Sequence, residues 1–468
     1  MNLEQLRKQA KELVHAAHAG DEAALARLGD LRPILASAQL VLAREHEHPS
    51  WPALVHALEA DAGAFVVAAT SSRRDRAEAL LAARPEIADD RWAALVLGRG
   101  WDGDANEVGG PRAWPPLHYV CHSCFASVGL ARELLRRGAD PNAYHPNEHG
   151  PMSALYGAAG VAHDPELTRV LLEAGADPNG EPTFGDALYH SVEAESTECL
   201  RALLEHGAEP RGSNALAAAL DYDHEEHVRL LLEASADPNE GALLVHAVRR
   251  GCRPELLRLL AEHGAELDRR GGEWSTPPAH YKTAYQNAVL RGRDDLVAVL
   301  AELGASTELT AEERVVPAIA RGERPAESLP AELSPDAEEV LVASALEGNL
   351  EVLDLLGPSF VAHMGGGPPG TLLHHAAWVG NAEVAAELLR RGADPSAHSG
   401  AEFDTPLAWA ALGSQHWRLS GRDYVHVAEL LLEAGAELEP RFAEVAEGPL
   451  ASRLRPPSSP RSRRSGAA

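Results

Sequence analysis

TLLHHAAWVGNAEVAAELLRRGADPS, residues 371–396, reads as two short helices closed by a turn. The Thr371 hydroxyl can accept from the free N–H groups of the first helical turn. Leu373, Ala376 and Ala377 follow at helical spacing and give that helix a narrow apolar face. Gly380-Asn381 ends it, since both residues tolerate left-handed backbone angles. Val384, Ala385, Leu388 and Leu389 repeat the spacing in the second helix, with Arg390 and Arg391 at the negative end of its dipole. Gly392 suits the left-handed position past a helix end, and Asp394-Pro395 turns the chain away. Two helices this short bury too little apolar surface to offset their ordering entropy, so copies must stack.

The copies are present. The ending recurs as LLRRGADPN at 134–142, LLEAGADPN at 171–179, LLEHGAEPR at 203–211 and LLEASADPN at 231–239. It continues as AEHGAELD at 261–268, AELGASTEL at 301–309, LLRRGADPS at 388–396 and LLEAGAELE at 431–439. Residues 1–60 lack it and show helical stripes instead, beginning with Leu3, Leu6, Ala10, Leu13, Val14 and Ala17. Further helices are expected over 21–28 and 33–45, with a fourth opened by Pro49-Ser50-Trp51-Pro52, forming an N-terminal helical cap. The repeats then divide into a block at 61–308, which carries a Gly-, Asp- and Trp-rich insertion at 98–115, and a block at 336–446. Between them, residues 309–335 read as a degenerate repeat or a hinge, and residues 447–468 as a disordered, Arg-, Pro- and Ser-rich tail.

Composition excludes several classes. The formal charge of −28, from 70 acidic against 42 basic residues, disfavours nucleic acid and anionic membranes and favours a basic partner. Only Lys8, Lys11 and Lys282 are lysines, an arginine bias that points to a GC-rich, bacterial genome. Cys121, Cys124, Cys199 and Cys252 are too few for a disulfide framework in 468 residues. No signal peptide opens the chain and no apolar run approaches a membrane span, so the expectation is a cytoplasmic monomer.

A repeat of about 33 residues with T-P-L-H-x-A opening its first helix resembles the ankyrin family. The residues that carry the resemblance are Pro116-Leu117-His118, Thr371-Leu372-Leu373-His374-His375-Ala376, Thr405-Pro406-Leu407-Ala408-Trp409-Ala410 and the ADPN turns. The departures are Ala408, Tyr156 and Tyr189 in place of His, and Ser235 in place of a turn Gly. The N-terminal LRKQAKEL and SWPAL phrases resemble a bacterial set within that family. The resemblance implies an all-α solenoid of paired antiparallel helices that binds proteins through the concave face lined by first helices and turn tips.

Chemistry elsewhere is sparse. His118, Cys121 and Cys124 are the first candidate for a metal-linked or catalytic role, the alternative reading, but the cysteines fall late in a helix, without the N-terminal dipole that lowers a thiol pKa. A structural zinc site would need a second ligand pair. His224-Glu225-Glu226-His227 lacks the spacing of a metalloprotease helix, and no Gly-rich loop follows a strand. The reading is a non-enzymatic protein-interaction scaffold that needs no cofactor or metal. Its partner-binding residues are taken to be Tyr144, Phe184, Tyr222, Arg249, Arg250, Trp274, Leu290, Arg291, Trp378 and Phe403.

Overall fold

The 371–396 stretch folds as the helices Leu372–Trp378 and Ala382–Arg390. In this computed structural model the described residues are 3–29, 31–46, 50–51, 54, 61–147, 150–180, 187–272, 278–362, 369–400, 403–416, 419–439 and 441–454. The Thr371 N–H donates to His374 Nδ1 at 3.2 Å, and His374 Nε2 donates to the Asp404 carbonyl of the following repeat at 2.8 Å. The threonine and histidine of the opening motif therefore cap one helix and tie it to the next copy. Asn381 accepts from the Val384 N–H to start the second helix, and Gly392 ends it at φ +88°. Of the residues that the spacing selects, Leu373, Ala376, Ala377, Val384, Ala385 and Leu388 are buried and Leu389 is half-buried; Leu372 is buried as well.

The chain divides into two units, Met1–Asp237 and Pro238–Ala468. In the first, Leu3–His18, Glu22–Leu28 and Leu35–Glu45 enclose a small core of Ala10, Leu13, Ala17, Ala24, Leu28, Ala38, Val41 and Leu42. The fourth helix expected near residue 50 falls largely outside the described residues. Helix pairs follow: Ala62–Ala69 with Arg74–Ala83, then Pro116–His122 with Val128–Arg136. Next, Ala154–Tyr156 widens into a π turn at Gly157–Val161 and pairs with Pro165–Glu173. Ala187–Ser191 with Glu198–Glu205 and Ala215–Asp221 with Glu225–Glu233 complete the unit.

The segment 98–115 is more than a loop. Asp104 accepts from the Asn106 N–H at 2.8 Å, the same turn that Asp140 and Asp177 make with Asn142 and Asn179. Each of these asparagines then clamps the next turn along. Asn106, Asn142 and Asn179 donate through Nδ2 to the carbonyls of Gly138, Gly175 and Gly207, each at 2.8 Å. Their Oδ1 atoms accept from the N–H groups of Asp140, Asp177 and Glu209. The turn chemistry thus sets the register of the stack.

The second unit carries Leu243–Arg250 with Pro254–Glu262, Ala284–Leu290 with Asp294–Leu303, and Pro335–Leu346 with Leu350–Leu356. After the Leu372–Trp378 pair comes Pro406–Gly413 with Tyr424–Glu433. One core runs from Leu290 to Leu454. Ala311–Ala320 stands without a second helix, since residues 321–334 form irregular chain. Pro317 inside it cannot donate a backbone hydrogen bond, and buried ion pairs anchor the helix instead. The first part of the stretch expected to be a disordered tail is ordered: Gly448–Arg453 is a helix, with Leu450 and Leu454 fully buried against the last pair. Residues 455–468 lie outside the described ones. Two short antiparallel ladders, Tyr144–Asn147 with Gly150–Ser153 and Val361–Ala362 with Gly370–Thr371, are the turn arms, and the fold is all-α.

Candidate protein-interaction face

Two of the first helices end in large aromatic residues that the stack leaves exposed. Trp378 closes Leu372–Trp378 and is 42% exposed, with its edge against the buried Trp409 at 6.1 Å between ring centroids. Trp409 is itself held edge-on by His374 and His375, so the outer ring stands on a packed aromatic base. Tyr222 caps Ala215–Asp221, is 49% exposed, and stacks on His224 at 5.6 Å. Tyr144 lies exposed on its short strand, and Arg250 is exposed at the end of Leu243–Arg250. These four residues sit where a partner can reach them.

Others of the expected set do not. Leu290 is fully buried, packed in the core with Val315, Val316 and Ile319, and has no surface to offer a partner. Arg249 and Arg291 converge on Asp336, which is fully buried, at 3.1 and 3.2 Å, and Arg291 also reaches Glu339 at 2.7 Å. Their charge is largely neutralised within the chain. The rim of a groove of about 580 Å³ nevertheless includes Arg291, Arg321, Glu339 and Glu347. Phe403 is half-buried under the Arg441 guanidinium at 5.1 Å. Phe184 and Trp274 lie outside the described residues.

A cluster that the sequence reading did not assemble joins the first-helix ends of the first unit. Ring contacts run from Trp92 to Tyr119 at 5.0 Å, Tyr119 to Trp114 at 5.6 Å and Trp114 to His122 at 4.8 Å. They continue from His122 to Tyr156 at 5.7 Å and from Tyr156 to His190 at 5.0 Å. His190 Nδ1 lies 2.8 Å from Glu193 Oε1. Gly157 is required here, because a Cβ at that position would strike the His122 ring. The signal in the sequence was the replacement of the motif histidine by Tyr156 and Tyr189.

The metal or redox candidate does not assemble. Cys121 is fully buried, and burial pushes its thiol far above the usual range; burial also raises Cys124. Neither is the thiolate that redox exchange or metal binding requires. His118 donates through Nε2 to the Met152 carbonyl at 3.2 Å, the inter-repeat bond that His374 makes in the second unit. Burial lowers the His118 and His122 pKa values to about 3 and about 4, so both rings are neutral packing groups. Among the described residues, no three His, Cys, Asp or Glu side chains are arranged to hold a metal ion.

Residues 155–242 match the family model described as ankyrin repeats in three copies, and residues 114–145 and 371–399 match the single ankyrin repeat. The chain is an ankyrin-repeat protein. Among curated proteins it is similar to the transient receptor potential channel pyrexia of Drosophila melanogaster, at 32% identity over 130 residues. That match covers 26% of this ankyrin-repeat chain and only 13% of the channel's length. Among solved structures it is similar to the ankyrin repeat domain of Bcl-3, a member of the IkappaB family, at 27% identity and a TM-score of 0.34, covering 41% of this chain and 86% of that one. It is also similar to the human ASB11 ankyrin repeat domain, at 22% identity and a TM-score of 0.36, covering 52% and 98% respectively. No described helix is long and apolar enough to cross a membrane.

Proposed function

We propose that this ankyrin-repeat protein is a non-catalytic scaffold that binds a partner protein through the concave face formed by its first helices. The observation that carries the reading is the pair of large exposed aromatics, Tyr222 and Trp378, at equivalent first-helix ends, each braced by a ring beneath it. Rigid, partly buried aromatic side chains of this kind are the usual anchors of protein interfaces. The net charge of −28 favours a basic partner and disfavours nucleic acid and anionic membrane. Four cysteines carried as free thiols suit a reducing, cytoplasmic compartment, and the protein acts as a monomer. Its arginine bias fits a bacterial source.

The test is affinity capture from a lysate of the native host, with the wild type beside a Tyr222→Ala/Trp378→Ala double variant. A protein retained by the first and lost with the second supports the reading. Equal recovery by both overturns the assignment of the face.

A further inference from the structure

We propose that Asn179 is a site of spontaneous modification, where attack by the Gly180 nitrogen turns the asparagine into aspartate and isoaspartate and unfastens the stack. The inference stands apart from the binding reading above. Asn179 is exposed on the turn that follows Pro165–Glu173. Its Nδ2 donates to the Gly207 carbonyl at 2.8 Å, and its Oδ1 accepts from the Glu209 N–H at 2.7 Å. Asn106, Asn142 and Asn239 make the same clamp but precede Glu107, Ala143 and Glu240. Asn179-Gly180 is the one Asn-Gly step in the chain. Two separate demands create it. The clamp needs a side chain that both donates and accepts, and a Cβ at position 180 would strike the Tyr144 hydroxyl.

In the reaction the Gly180 N–H gives its proton to hydroxide, its nitrogen bonds to Asn179 Cγ, and the side-chain nitrogen leaves as ammonia. Water then opens the five-membered imide at either carbonyl, leaving aspartate or an isoaspartate whose backbone runs through the side chain. Water is the co-reactant, and nothing is oxidised or reduced. Glycine opposes the attack least, since no side chain crowds its nitrogen. Among the described residues no hydrogen bond holds the Gly180 N–H, whereas the N–H of Glu107, after Asn106, donates to the Asp104 carbonyl at 3.3 Å. The clamp holds the Asn179 carboxamide while the turn is closed, so the reaction proceeds during transient openings. Its product cannot reclose the clamp. The Nδ2 donor is gone, and a carboxylate oxygen faces the Gly207 carbonyl in its place. The bond lost is one of those that set the register between Pro165–Glu173 and Glu198–Glu205.

The experiment incubates the folded full chain in mildly alkaline water enriched in heavy oxygen, then digests it with trypsin for mass spectrometry. The tryptic peptide 170–201 has Asn179 as its only asparagine, and 230–249 has Asn239 as its only one. Conversion of 170–201 should run at least about tenfold faster than that of 230–249. The product should carry one heavy oxygen and contain both aspartate and isoaspartate, because the imide opens at either carbonyl. Asn179→Asp then reproduces the loss of the donor without the chemistry. In that variant the amides of residues 203–209 should exchange about five- to tenfold faster than in the wild type. Equal conversion of the two peptides, no conversion of 170–201 in the folded chain, or aspartate without isoaspartate overturns the modification site. Unchanged exchange over 203–209 in Asn179→Asp overturns the unfastening of the stack.

Discussion

The two units differ in the charged groups that they bury. In the first, the buried basic side chains are neutral rings: His118, His122 and His227 lie 0–2% exposed, and burial lowers the pKa of all three. In the second, ions join the buried rings of His374 and His375. Lys282, 6% exposed, meets Glu312 at 2.8 Å and also Glu313, while Asp336 receives Arg249 and Arg291. Burial would raise the Glu313 carboxyl, but Lys282 and Thr310 override it and hold it below its usual value. Lys282 is raised for the matching reason, its carboxylate partners outweighing desolvation. One family of repeats thus tolerates both solutions, the ions being retained where each meets an opposite charge.

The contrast breaks most sharply at Lys282. Lys282→Met leaves two buried carboxylates facing each other and should destabilise the second unit by about 3–5 kcal/mol. Urea denaturation followed by hydrogen exchange over residues 284–320 measures it, and a loss below about 1 kcal/mol would mean the ions do not hold that unit together.

Acid should separate the units next. In the unfolded chain His118 and His122 titrate near 6.5, whereas folded they stay neutral down to about 3 and about 4. Because the folded values are depressed, their stabilisation is complete above pH 6.5 and drains as pH falls toward the folded values. Two such rings give about 2–3 kcal/mol per pH unit. The Glu313–Lys282 contribution persists until pH falls below the usual glutamate value of 4.5, and His374 is a single ring depressed in the same sense in the second unit. Hydrogen exchange between pH 6.5 and 5 should show residues 116–161 losing protection first, and His118→Gln/His122→Gln should flatten that dependence.

How much of this was legible follows the physics. Apolar spacing and the Gly turns located the helices of 371–396 within a residue or two, because local propensity and burial agree there. The fate of Arg249 and Arg291 was hidden, since the carboxylates that claim them lie far along the chain. Leu290 shares its place before the turn Gly with Trp378, yet it is buried against the lone helix Ala311–Ala320, a neighbour no local pattern announces. The turn at Asp104–Asn106 escaped because Ala105 replaces the proline of the motif. At the candidate site, Tyr222 and Trp378 were legible as exposed residues, whereas the His190–Glu193 brace required tertiary structure.

Smaller substitutions sharpen the comparison within the first unit. Asn142→Ala removes both clamp bonds, to Gly175 and from Asp177, and should cost about 1–2 kcal/mol, readable as a lower urea midpoint. Ser235 occupies the turn position at φ +69° where other copies place glycine. Ser235→Gly should therefore stabilise the chain by about 1 kcal/mol or less, a small rise in melting temperature.

The measurement closest to the central claim is hydrogen exchange of the full chain with its captured partner bound. The account predicts new protection at the first-helix ends, residues 189–195, 219–224 and 376–380, and little change along the second helices Pro165–Glu173 and Ala382–Arg390. Protection confined to those second helices, with the first-helix ends unchanged, would contradict it.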